Sequence, residues 1–547
     1  LVAFGYRYDE IRALQKVLCC EDVRVSEIFE RVSDRPCVAV SLGMPLIGSL
    51  LPHADPSDAP TLAAGVKARM GKIMPIVEDR SAFLAGLRNY TVKWIQRRNI
   101  KTLGSDFDYD FESWLAKTNY PLWRKDQLRK YEREISDLLE RNEHGKLVRF
   151  IIKLFMKDEH YIDFKHARGI FARDDAAKIT FGPWFKGIEE IVYDEPEFIK
   201  HVPVRDRASY IYERLFVDGS TYVATDFSSF EAHFVADLMD SCEFVLYEHM
   251  LGDSNAGKDM LLLMKEVLMG ENRIFNKYVN ARCIARRMSG EMNTSLGNGF
   301  SNLMFMGYVC ETLGLGEPNG VVEGDDGLFQ FVGRHPTTAD FAKCGFLVKL
   351  DTYVKISQAS FCGNLFDEDS MQIVTDPLDV ISSFGWTTNR YRHSAEAKLK
   401  TLLRCKALSF AHQYPGCPMI GKLAQYALRV TRGRTNKDML NFVERSRDLN
   451  LWYREQLIEA IKYRTTDEAL YVEPTQGTRI LFFELYGVTE SMQIMFEKYV
   501  DSLEVLQPLR FDLLVDMVPP SWRSYWDKYV VPFDVVPEKY ILPTVII

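Results

Sequence analysis

Three short stretches of this chain carry side chains that could do chemistry together. Asp226-Phe-Ser-Ser-Phe-Glu231 and Gly324-Asp325-Asp326 hold carboxylates. Between them, Ser289-Gly-Glu-Met-Asn-Thr294-Ser-Leu-Gly-Asn298 holds hydroxyls and an amide. Mg2+ prefers hard carboxylate oxygens, takes one or two from a protein, and completes its shell with phosphate and water. Two such ions about 3.5–4 Å apart can neutralise the attacking and leaving oxygens of a phosphoryl transfer. Asp226 and Asp325 are expected to share two ions, Mg2+ (or Mn2+), with Asp326 as an adjacent ligand. Glu231 lies past a bend, better placed to accept a ribose hydroxyl or to orient a neighbour that does. Ser289, Thr294 and Asn298 supply the partners. Thr294 and Asn298 are four apart and share a helix face, and Gly290 lets the preceding loop flex. Each stretch also has a plain reading: Gly and Asp form ordinary turns, and Ser289 can cap a helix. The combination in one order is what points to nucleotide chemistry.

Those residues need a scaffold. Thr221–Asp226 (TYVATD) alternates like a strand that ends on the acid, and a helical pattern starts at Phe230. Val321-Val322, Gly-Asp-Asp-Gly and Leu328–Val332 predict a hairpin whose turn carries the acids. Met292–Leu313 has helical apolar spacing behind a Ser-Gly turn. A long helical pattern covers Lys125–Phe155, and His53–Pro60 reads as a surface loop. Residues 364–547 read as mostly helical, with an aromatic, proline-bearing tail.

Bulk properties narrow the class. The chain has 547 residues, 47% hydrophobic and 26% charged, which suits a large soluble enzyme of several lobes. Its ten cysteines show no CxxC spacing, which disfavours a zinc knuckle or a disulfide framework. The apolar run Cys37–Leu51 is shorter than the roughly 18–20 residues of a membrane span, so a buried element is expected. The chain starts at Leu1, as a piece excised from something longer would. Net charge is -8, yet residues 397–437 carry Lys398, Lys400, Arg404, Lys406, Lys422, Arg429, Arg432, Arg434 and Lys437 and no acid. Such a run predicts a phosphate-facing surface or a solvated helix face.

The three stretches resemble motifs A, B and C of the RNA-dependent RNA polymerases of positive-strand RNA viruses. The wording Arg287-Met-Ser-Gly-Glu-Met-Asn-Thr-Ser-Leu-Gly-Asn298 is most similar to the tombusvirus and carmovirus group. That group usually has Asp where this chain has Glu231. Lys157-Asp-Glu, Lys165 and Arg168-Gly-Ile-Phe-Ala-Arg173 resemble motif F, whose cations hold the triphosphate. Phe341–Lys349 resembles motif D, with Lys343 slightly favoured over Lys349 as general acid to pyrophosphate. Phe361-Cys362-Gly363 resembles motif E, which supports the nascent strand, and Thr118–Pro121 is a weak counterpart of motif G.

The resemblance implies an α+β right-hand polymerase fold, with an antiparallel palm sheet flanked by helices and a largely helical thumb. It divides the chain into an N-terminal extension joining fingers and thumb (1–85), fingers (86–215), palm (216–245), a fingers insertion (246–288), palm (289–363), and thumb with C-terminal tail (364–547). It implies synthesis of RNA from NTPs on an RNA template, replicating a viral genome. Arg429, Arg432, Arg434, Phe361 and Cys362 are then expected on product RNA. Other implied partners are viral replication proteins and host membranes, reached through segments outside this chain, in the host cytoplasm at membrane-associated replication complexes. A tail aromatic from Trp522 onward could stack on the first nucleotide in place of a primer base. The competing readings are a reverse transcriptase, which usually carries an aromatic or small residue at Glu231's place, and a non-enzymatic RNA-binding protein.

Overall fold

The computed structural model describes residues 17–27, 39–54, 58–139, 151–162, 165–447, 449, 451–463 and 471–530. Thirteen strands lie among them: β1 Val23–Glu27, β2 Ala39–Ser41, β3 Ile151–Met156, β4 Gly169–Arg173, β5 Thr221–Phe227, β6 Glu271–Phe275, β7 Val279–Ile284, β8 Asn319–Glu323, β9 Asp326–Phe331, β10 Val348–Tyr353, β11 Leu365–Phe366, β12 Ile373–Val374 and β13 Trp386–Thr388.

An antiparallel sheet in the order β10-β5-β9-β8 occupies the middle of the chain. Its strands alternate, and both faces are covered. Val223, Phe227, Val322, Phe329 and Val348 point into the largest core, under the helix Thr294–Thr312. Tyr222, Val321 and Leu328, one residue away in β5, β8 and β9, point into a second core with the helix Arg207–Leu215. This two-sided burial matches the period-2 pattern of the sequence. Phe227, Phe230, Phe305, Phe341 and Phe346 cluster beneath the sheet end that carries Asp226, with Phe305 and Phe346 stacked at 4.2 Å.

A second sheet has the order β1-β7-β6-β3-β4, antiparallel except for the parallel pair β3 and β6. It joins three separated parts of the chain, and the helix Ala59–Met70 packs on it. The helical pattern expected through Phe155 ends sooner. The helix is Leu122–Leu139, and Phe155 lies in β3, where IIKLFM alternates between buried and exposed positions. Residues 140–150 fall outside the described set. The loop expected at His53–Pro60 also stops early. Asp58 caps the helix Ala59–Met70, and Pro60 sits in its first turn, where its missing N–H costs nothing.

The C-terminal part is helical, as expected. Helices from Pro377–Phe384 to Asp512–Val515 share one apolar core, and the last helix, Pro520–Tyr529, packs on two smaller clusters. The segment around residues 39–51 is buried, as expected, with the short strand β2 followed by irregular chain. It lends β2 to β13 and bonds Ile47 to Leu509. The N-terminal residues thus touch both the second sheet and the C-terminal helices. No helix among the described residues is long and apolar enough to cross a membrane.

Candidate active site

Asp226 is the penultimate residue of β5, and Thr225 pairs with Gly327 of β9. Glu323 and Asp326 close the β8–β9 hairpin around the two-residue turn Gly324-Asp325. Gly324 has φ +62° and Asp325 does not share the positive φ. This is the pattern of a type II′ turn, whose first central position calls for glycine. The register therefore brings Asp226, Asp325 and Asp326 to one end of one sheet, all three exposed. Neighbouring groups take the Asp326 carboxyl partly out of water. That, and next the charge of Asp325, push it up to about 6, with Asp226 and Glu323 adding to the rise and a hydrogen bond with Cys362 opposing it. Among the described residues, none of the three acids has an ion-pair partner, whereas Glu323 lies 2.8 Å from Arg207. No three His, Cys, Asp or Glu side chains among the described residues converge tightly enough to hold an ion alone. An ion that draws most of its ligands from phosphate and water does not need them to.

One residue that bears on these acids had no signal in the sequence. Asn302, one turn beyond Asn298, is fully buried. Its amide donates to the Asp325 carbonyl at 3.0 Å and lies 3.5 Å from the Thr225 hydroxyl. It ties the acid-bearing turn to β5, the strand that carries Asp226.

Asn298 and Thr294 are on the helix Thr294–Thr312, as expected. Asn298 is nearly buried, and its side-chain oxygen accepts from Arg287 Nε at 3.0 Å. Arg287 forms a fully buried ion pair with Glu243 and lies 4.5 Å over the Phe234 ring. Tyr247 donates to Glu243, and Asn293 donates to Tyr247, each at 3.2 Å. With its oxygen engaged, the Asn298 amide is left its N–H groups to offer. Thr294 Oγ donates to the Met288 carbonyl at 2.8 Å and holds the loop rather than facing a sugar. Ser289 Oγ accepts from the Phe171 N–H at 3.1 Å, and Gly290 N donates to the Phe171 carbonyl at 2.8 Å. The loop therefore adds onto β4. A Cβ on Gly290 would come within 2.9 Å of the Ala172 Cα. Close approach, not the expected flexibility, is what this glycine supplies.

Glu231 is buried and bound two-pronged by Arg69 of the helix Ala59–Met70, with Nε on Oε2 at 3.3 Å and the terminal nitrogen on Oε1. Nothing in the local sequence announces this partner.

Residues 247–507 match the family model described as viral RNA dependent RNA polymerase. The chain is a viral RNA-dependent RNA polymerase. No curated protein matches it. The matched span contains Ser289–Asn298 and Gly324–Asp326. Asp226 lies outside it and joins the site through its pairing in the sheet.

The polymerase disposes its basic residues differently from the expectation. Arg168 binds Glu159 two-pronged, Nε at 2.6 Å, and Lys157 lies 3.2 Å from the same carboxylate. Burial would raise the Glu159 carboxyl, but Arg168 and then Lys157 hold it down at about 2. Arg173 is buried against Glu291 and Asn272, so it is not free to meet phosphate. Lys165 is exposed and has no ion-pair partner among the described residues. Lys343 sits on the exposed side of a short helix, 3.2 Å from Asp340. Lys349 lies directly across β10–β5 from Asp226 and also reaches Asp351 at 2.8 Å. The register favours Lys349 over Lys343 as the cation at the acid end.

The residues expected on RNA divide in the same way. Phe361 belongs to the core beneath the sheet, because its ring completes the packing of Tyr222 and Leu328. Cys362, at φ +52°, is placed against Asp326. Arg429 donates to the carbonyls of Val500 at 3.0 Å and Leu503 at 2.9 Å, closing the end of the helix Glu490–Ser502. It caps a helix and does not present a phosphate contact. Arg404 and Lys406 are likewise committed to backbone carbonyls inside the helical core. Arg432 is exposed and Arg434 partly so. In the tail, Trp522, Tyr525 and Trp526 are buried against Leu50, Leu51 and Trp386. Those three serve as a clamp. Phe533 and Tyr540 fall outside the described residues.

Proposed function

We propose that nucleotide addition takes place at the sheet end where Asp226, Asp325 and Asp326 meet, running 5′ to 3′ on an RNA template with NTPs as substrates. The observation that supports this most directly is the register, which pairs Thr225 with Gly327 and Glu323 with Asp326 and so gathers acids from two distant stretches. The donor set fits divalent cations: three exposed carboxylates share one sheet end, the pKa of one of them is raised by partial burial and then by its neighbours' charge, and none is paired with a base among the described residues. Asp226, Asp325 and Asp326 would hold two Mg2+ (or Mn2+) ions, which when bound neutralise charge on the attacking and leaving oxygens.

The 3′-hydroxyl of the growing strand bonds to the α-phosphorus as the α–β bridging bond breaks, losing its proton and releasing pyrophosphate. Lys349, opposite Asp226, is the cation placed to protonate that leaving group. The Asn298 amide, oriented by Arg287, and the carboxylate of Glu231 read the ribose. Lys165 and Lys157 draw in the triphosphate. In this reading the sheet β10-β5-β9-β8 is the palm, residues 86–215 and 246–288 form the fingers, 364–547 the thumb, and 1–85 joins fingers and thumb. Work at membrane-associated replication complexes, with other viral proteins, rests on the family alone.

The test is replacement of Asp226 or Asp325 by Ala, followed by single-nucleotide addition on a primed RNA template. Loss of a ligand should remove several kcal/mol of charge stabilisation. A folded variant within about tenfold of wild type, or 1.4 kcal/mol, would rule the assignment out.

A further inference from the structure

The helix Ala59–Met70 lies between two elements of the nucleotide site and is held there at three points. Gly65 is so close to the loop before β4 that a Cβ on it would fall 1.9 Å from the Ala167 carbonyl oxygen. Ser229 Oγ donates to the Ala68 carbonyl at 2.8 Å, and Arg286 Nε donates to the Met70 carbonyl at 3.1 Å. The chain from 68 to 70 is therefore fixed against the Ser229 turn, and Arg69 projects from it onto Glu231. Both side chains are mostly out of solvent, 19% and 7% exposed. A planar guanidinium holding both oxygens fixes position and rotation of a carboxylate. It still leaves the carboxylate half of its roughly four lone-pair sites to accept a further hydrogen bond. The backbone links this pair to Asn298: Arg287 N–H donates to the Glu231 carbonyl at 3.3 Å, and the Arg287 side chain holds Asn298.

We propose that Arg69 is a positioning residue for sugar selection: it holds the longer arm of Glu231 so that its free lone pairs meet the 2′-hydroxyl side of the incoming nucleotide. The inference rests on the reading that Glu231 faces the ribose. It also accounts for a glutamate at this position. The extra methylene lets the carboxylate reach a guanidinium on a different segment, and an aspartate would stop short.

The experiment measures kcat/KM for ATP and for dATP on a primed RNA template, using the full chain and the variants Arg69→Lys, Arg69→Ala, Glu231→Asp, Glu231→Ala and Arg69→Ala/Glu231→Ala. Arg69→Ala should lower the ATP-to-dATP ratio by roughly tenfold or more, as expected when a hydrogen bond to a substrate hydroxyl is lost. Arg69→Lys, with one contact in place of two, should fall between. Glu231→Asp should resemble Arg69→Ala, and Arg69→Ala should change the ratio no further once Glu231 is Ala. If Arg69→Ala does not fold, Arg69→Lys and Glu231→Asp carry the test. Equal losses for both substrates from Arg69 variants, with Glu231→Ala still changing the ratio, would make Arg69 structural or a phosphate ligand and overturn the inference alone. An unchanged ratio in Glu231→Ala would overturn the ribose reading and the inference with it.

Discussion

Replacing Arg287 by Met should unfold this polymerase more readily than removal of any surface charge. The guanidinium and its partner Glu243 are both fully buried. Removing one leaves the other charged and unpaired in the interior, at a cost of about 3–5 kcal/mol. Loss of the Phe234 ring contact at 4.5 Å adds up to about 2 kcal/mol. Glu243→Leu should cost a similar amount for the same reason. The double variant Arg287→Met/Glu243→Leu should be more stable than either single one, because packed apolar side chains replace a buried pair with little net loss. Its sugar selectivity should nevertheless stay low, since Asn298 has lost the donor that orients it. Urea midpoints followed by tryptophan fluorescence give the stabilities, and the ATP-to-dATP ratio gives the second readout. Single variants within about 0.5 kcal/mol of wild type, or a double variant as costly as the singles summed, would refute the argument.

Asn302→Ala should reduce kcat and raise the Mg2+ concentration for half-maximal activity, because the Asp325 carbonyl loses its donor; unchanged metal dependence would confine Asn302 to packing. For Asp326 the folded carboxyl is raised to about 6, so in metal-free protein its contribution to stability is full below about pH 4 and is lost as pH rises through 6. A cation that needs the ionised form should reverse this, so the Mg2+-induced rise in Tm should grow from pH 5 to pH 7, and Asp326→Asn should flatten it. Arg429→Ala should lower stability by about 1.5–3 kcal/mol through the uncapped carbonyls and leave the salt dependence of template binding unchanged; a flatter salt slope would return Arg429 to the RNA surface.

What could be read from the sequence was local. The strand carrying Asp226, the hairpin with acids in its turn and the helix from Thr294 each declare themselves within about twenty residues, through alternation, a Gly-Asp turn and 3.6-residue spacing. The motifs then supplied the order in which they assemble. What could not be read was the commitment of charges to distant partners. Glu231 and Arg69 are 162 residues apart, Arg173 and Glu291 118, and Arg429 and the Val500 carbonyl 71. A run of arginines without acids looks like a phosphate surface whether its partners are phosphates or the carbonyls of a helix end, because those carbonyls carry no signature in the sequence. The same limit misplaced Phe155: the apolar residues Ile151, Ile152, Leu154, Phe155 and Met156 suit a helix or a strand, and only pairing with β4 and β6 decides for a strand.

These long-range pairs also determine how the nucleotide site is held together. Its walls come from five separated segments, and much of the joining is polar. Arg173–Glu291 and the bonds from Ser289 and Gly290 to Phe171 fasten the loop before the Thr294–Thr312 helix onto β4. Arg69–Glu231 and Ser229–Ala68 fasten the turn after Asp226 onto the N-terminal helix, which in turn rests on Ala167 just before β4. Arg287 closes the circuit between Glu231 and Asn298. Hydrophobic contacts tolerate sliding, whereas two-pronged ion pairs hold only in a narrow geometry. A displacement of β4 therefore cannot leave Glu231 and Asn298 where they were, and under the proposed function the groups for the triphosphate and those for the ribose form one mechanical unit.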